Sequence, residues 1–70
     1  MMKDFSVYSM GRLIDHVQGA GYVAAMRAVQ HKYADGPLAI CPLDAPREAH
    51  TATAARSHYK FNEVPQDLRG

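Results

Sequence analysis

A mainly α fold is what this 70-residue sequence predicts, and three observations predict it. Apolar residues recur at helical spacing from Met10 to Tyr33. A second stretch opens on Pro46-Arg47-Glu48 and continues through Ala49, Ala52, Ala54 and Ala55, a fair helix-forming run. Extended character is confined to brief segments. The expected architecture is one long helix over about 9–34, kinked or straight, a shorter helix over about 46–59, one or two short extended segments over about 3–8 and 37–43, and a loose tail over 61–70, in a single small domain spanning 1–70.

Taken in order, Lys3 to Tyr8 alternates weakly, with Phe5 and Val7 on one side and Ser6 on the other, as a short strand or extended lead-in would. Ser9 then suits an N-cap, although Arg12 at N3 leaves no capping box. In the long helical segment the apolar stripe changes face. Met10, Leu13, Ile14 and Val17 centre near roughly 270° on a wheel of about 100° per residue, and Tyr22, Met26, Val29 and Tyr33 near roughly 50°. Gly19 and Gly21 mark the change. The helix either bends there or presents two surfaces to two neighbours. A continuous helix is favoured, because Ala20, Ala24, Ala25 and Ala28 support propagation and each glycine costs only about 1 kcal/mol relative to alanine.

His31 and Lys32 complement the dipole of the last turn, and Asp35-Gly36-Pro37 stops the helix. Between Pro37 and Pro46, Leu38, Ile40 and Cys41 suit a short strand, which Pro42 would confine to a sheet edge, and an extended, partly buried connector is the favoured form. Thr51, Thr53 and His50 weaken the second helix, whose apolar face is almost all methyl groups until Tyr59 and Phe61. Beyond Lys60 only Val64 and Leu68 offer anchors, and Asn62, Pro65, Asp67 and Gly70 favour a loose tail.

Composition limits the fold and its function. A chain this short buries only about 60% of its unfolded surface. Leu, Ile, Val and Phe together number thirteen, so the core is small and help from self-association or a partner is expected. Net charge is +1, and acids and bases balance in both halves, so no face has a dominating field. The single Cys41 forms no internal disulfide. With no apolar h-region after Met1 and no window near the roughly 18 apolar residues of a membrane span, the sequence predicts a soluble, cytoplasmic protein with no membrane partner.

Chemistry-bearing constellations are weak. Zinc requires paired donors at short spacing, but Cys41, His50 and His58 are too far apart in sequence, and on one helix His50 and His58 would lie about 12 Å apart along the axis. Cys41 has candidate partners in His31, His50 and His58 but no nucleophile frame, and reads better as a small buried hydrophobe. Gly19-x-Gly21 is no phosphate loop. No cofactor, metal or catalytic residue is expected, and the chain reads as non-enzymatic.

Two binding readings are left. The favoured one is a small regulatory protein of the regulator, inhibitor or adaptor type. It would dock a Tyr/Met helix face made of Tyr22, Met26, Val29 and Tyr33 on a larger protein, with Arg56, Tyr59 and Lys60 as a secondary contact. In this reading Val17, Gly21, Ala24 and Ala28 form a small-residue seam through which a homodimer would assemble. The alternative is a helix-turn-helix-like nucleic-acid-binding protein. It would use Arg27, Gln30, His31 and Lys32 on a second helix over about 22–32, or the interleaved basic and aromatic residues from Arg56 to Phe61.

Overall fold

The computed structural model describes residues 1–33, 36–60, 63 and 65–68. It is a small α/β fold: strands β1 (Lys3–Ser9) and β2 (Arg12–Gly19), helix α1 (Tyr22–Lys32), strand β3 (Ala39–Pro42) and helix α2 (Arg47–Arg56). A 3-10 turn lies at Gln66–Leu68. The three strands form one antiparallel sheet in the order β2-β1-β3. Because β2 and β3 both run opposite to β1, they are parallel to each other, and β2-α1-β3 is a βαβ crossover split by the central strand.

This overturns the mainly α expectation. The region from 9 to 34 is not one helix: it holds the end of β1, all of β2 and only then the eleven residues of α1. A two-residue reversal makes the difference. Met10 and Gly11 have φ of 53° and 80°, the left-handed conformation at both central positions that tight hairpin turns require and that matches strand twist. Ser9 accordingly ends a strand and does not cap a helix, its Oγ donating to the Pro37 carbonyl at 2.9 Å. With 12–19 a strand, the first helix of a helix-turn-helix is missing, which removes that arrangement.

The shorter extended segments fall where the sequence placed them. β1 covers 3–8 and one residue more, and β3 lies within 37–43, where it is a paired edge strand and not the expected connector, at the sheet edge to which Pro42 confines a strand. The second helix is shorter than 46–59 and takes Pro46 as its N-cap, at φ −65° and ψ 160°. Asp35 of the expected helix stop and residues 61, 62, 64, 69 and 70 of the expected tail lie outside the described residues.

β1 distributes two kinds of packing. Paired residues share a face, so Phe5 lies beside Val17 and Pro42, and Val7 beside Asp15 and Ile40. On this face α1 packs, and Phe5, Val7, Ala25, Val29 and Ile40 make the buried core, bordered by Val17, Met26, Tyr33 and Leu38. Each large apolar side chain there contributes about 1.5–3 kcal/mol. The opposite face is small and polar. Ser6 pairs with Cys41 and Tyr8 with Ala39, and α2 lies against this side over β1 and β3. Thr53 and Ser57 are fully buried there, and the Tyr8 hydroxyl and His50 Nδ1 lie 2.9 Å apart in a hydrogen bond.

Ser57 fastens the hairpin to α2. Its Oγ donates to the Ala54 carbonyl and accepts from the Gly11 N–H at 2.8 Å, while its carbonyl accepts from the Met10 N–H at 2.9 Å. Among the described residues no buried side-chain nitrogen or oxygen lacks a partner, which makes this polar layer tolerable.

Two predictions follow from these contacts. A Cβ added at Gly19 would stand 2.7 Å from the Ala25 nitrogen, whereas one at Gly21 meets nothing within 4 Å. Gly19→Ala is therefore expected to cost about 1–3 kcal/mol, and Gly21→Ala, which meets no clash but loses a preferred N-cap residue, to cost under about 1 kcal/mol; paired urea titrations measure the contrast. Ser57→Ala leaves the Gly11 N–H without its acceptor and is expected to destabilise by about 1–3 kcal/mol on the same assay.

Candidate functional site

The anticipated Tyr/Met face does not present itself as one surface. Tyr22 is exposed at the start of α1, but Val29 is 2% exposed within the core, and Met26 and Tyr33 are half-buried against it. The secondary contacts sit elsewhere: Arg56 ends α2, donating to Thr53 Oγ1 at 3.2 Å, and Tyr59 and Lys60 are exposed just beyond it. Ala24 and Ala28 are exposed on α1 with Gly21 at its N-cap, but Val17 belongs to β2, so the four do not share a helical seam.

The remaining chemistry-bearing residues are dispersed. Among the described residues no three His, Cys, Asp or Glu side chains gather as metal ligands. Cys41 is buried as a free thiol, His50 meets Tyr8, and the His58 ring backs against Gly11.

What the fold does assemble is an edge. Among the described residues β2 has one strand neighbour, β1, so its outer side is unpaired there over an eight-residue strand. A register shift between Val7 and Tyr8 leaves Ile14 as a bulge: Asp15 opposes Val7, and Leu13 opposes Tyr8. Bulges redirect side chains, and here Leu13 and Ile14 remain 52% and 42% exposed, next to the exposed Met10 at the turn. Because α2 covers β1 and β3 but not β2, His16 and Gln18 are exposed too.

The Asp15 carboxylate organises this edge. Its Oδ2 accepts from Lys32 Nζ at 2.7 Å and from the Tyr33 hydroxyl at 2.9 Å, tying β2 to the end of α1. Its Oδ1 accepts from the His16 N–H at 2.8 Å. That amide therefore points away from β1. By the alternation of an antiparallel ladder, Gln18 directs its N–H and C=O outward as well, while Asp15 and Val17 bond to β1.

Sequence reasoning passed over Leu13, Ile14, Asp15 and Gln18 as an edge because Met10-Gly11 was read as helix interior. The usable signal was a glycine at the second turn position between two runs containing Phe5, Val7, Leu13, Ile14 and Val17. No protein family matches the chain, and comparison with curated proteins and with solved structures finds no significant match.

Hydrogen bonds from Lys32, the His16 amide and Tyr33 lower the Asp15 carboxyl from 3.8 to about 2. A carboxyl that titrates lower in the folded state than in the unfolded state adds stability that is complete above about pH 4 and is lost as pH falls toward 2. Denaturation midpoints measured from pH 5 to pH 2 are expected to fall across that window, and Asp15→Asn is expected to flatten that part of the profile.

Proposed function

We propose that this chain is a small non-enzymatic protein-binding module that takes an extended segment of a larger protein by strand addition to β2. The observation that carries the reading is the unpaired outer side of β2, with outward-facing backbone at His16 and Gln18 beside exposed Leu13 and Ile14. Strand addition draws affinity from main-chain hydrogen bonds and specificity from side chains at alternate positions. The edge supplies the first, and the apolar group at Met10, Leu13 and Ile14 supplies a contact for the second. The other sheet edge is ill suited, since β3 has four residues and ends in Pro42.

A cytoplasmic setting suits the buried free thiol of Cys41, and among the described residues no helix is long and apolar enough to cross a membrane. The core supports this placement of the binding surface, because it leaves Val29 and Met26 with structural work on α1.

Selection of a displayed library of linear peptides against the protein tests the reading. The expected ligands shift backbone amide resonances of β2, bind Gln18→Pro at least tenfold more weakly, and bind Val23→Lys, on the exposed side of α1, unchanged. Ligands that map to α1, or no ligands above background, would overturn it.

A further inference from the structure

We propose that, when no partner segment is present, a second copy of this chain occupies the β2 edge, with β2 pairing antiparallel to β2 about a two-fold axis through Val17. The inference rests on the strand-addition reading of β2 and names the occupant of that edge.

The surface is larger than the average for a monomer of this mass. The radius of gyration is 11.1 Å, matching the roughly 11 Å of a compact 70-residue domain. Yet the accessible surface is 5007 Å², against about 4300 Å² expected for 7.7 kDa. A flat molecule of 32 × 27 × 18 Å with an open strand gains most by extending its sheet sideways.

The direction of the backbone groups selects the register. Antiparallel hydrogen-bonded pairs form between residues that direct both N–H and C=O at the neighbour, which on β2 are His16 and Gln18. An axis through Val17 sets His16 opposite Gln18 of the second copy, and Gln18 opposite its His16, so that four main-chain bonds close. Val17 then faces its own copy as a β-branched pair, and Asp15 faces Gly19 of the second copy. An axis through Asp15 would oppose two carboxylates, and one through His16 would stack two imidazoles.

Charge does not oppose the approach. Arg12 and Asp15 cancel within β2, and the chain carries only +1. The closed two-fold arrangement uses one patch on both copies and leaves no further edge except the short β3. One bond must be exchanged: the Asp15 Oδ1 that accepts from the His16 N–H yields its place to the carbonyl of Gln18 in the second copy. Lys32 and Tyr33 retain the carboxylate through Oδ2. That exchange makes the pairing reversible and keeps the edge available to a partner segment, which competes for the same amides.

Sedimentation equilibrium from micromolar to millimolar protein tests the proposal. The expected average mass rises from 7.7 kDa toward twice that value. Gln18→Pro removes an outward amide that bonds nothing in β1, so it is expected to stay monomeric with an unchanged far-UV spectrum, while Ala24→Lys on α1 dimerises like the parent. Hydrogen exchange of the unmodified chain gives a second readout, with the His16 and Gln18 amides gaining protection as concentration rises. A monomer throughout the range, a Gln18→Pro variant that folds and still dimerises, loss of dimer in Ala24→Lys, or concentration-independent exchange at both amides would each overturn the proposal. Peptide capture without self-pairing removes this inference and leaves the strand-addition reading standing; self-pairing without peptide capture does the reverse.

Discussion

β1 is the strand on which everything else depends, because it alone has a hydrogen-bonded neighbour on each side. Its period of two assigns Phe5 and Val7 to α1, and Ser6 and Tyr8 to α2. The two layers are not interchangeable. A slip of one residue would send Phe5 and Val7 into a layer built for Ser6, Thr53 and Ser57, and would place Ser6 in the apolar core. Three features hold the register: the left-handed pair Met10-Gly11, the bulge at Ile14, and the double attachment of the turn to Ser57. The polar layer thereby serves the apolar one. It buries little hydrophobic surface, but it clamps the hairpin whose register the core requires.

The sequence was legible where a residue acts through local backbone chemistry. Pro42 limits its strand to an edge, Pro46 opens a helix, and Phe5-Ser6-Val7 alternates across a sheet, all without knowledge of neighbours. The change of apolar face at Gly19 to Gly21 was also a true signal, but of a strand ending and a helix beginning. The error lay in equating apolar spacing with burial. Leu13 and Ile14 kept the helical series intact from Met10 to Val17, yet both are exposed on β2. A residue that is apolar because it faces an edge carries no phase information about the core. Met10 added to this, since a non-glycine residue at positive φ gives no warning of a turn.

Gly19 and Gly21 illustrate the same division. Together they looked like a hinge. In the fold only Gly19 is sterically required, since α1 passes close enough that the Ala25 backbone occupies the space of a side chain. Close approach of this kind depends on tertiary geometry and cannot be read from one sequence. The four residues expected to form one docking face on a helix are divided between core and surface for a related reason. Met26, Val29 and Tyr33 are drawn to the core of a chain with few large apolar residues, while Tyr22 stays exposed at the start of α1.

Asp15 connects the folding problem to the open edge. Its carboxylate has two oxygens with different tasks: Oδ2 joins β2 to α1 through Lys32 and Tyr33, and Oδ1 occupies the His16 amide on the outer side of the strand. An unpaired edge is a hazard that natural sheets blunt with charge, bulges or proline. β2 has no proline, and its bulge lies toward the turn, so the Asp15 carboxylate is the blunting device nearest its regular stretch. Because that device is held in place by the packing of α1, it is rigid enough to discourage indiscriminate pairing. It blocks one amide through a single hydrogen bond, while Lys32 and Tyr33 hold the other carboxylate oxygen. The contact that covers the His16 amide is thus separate from the pair of contacts that joins β2 to α1.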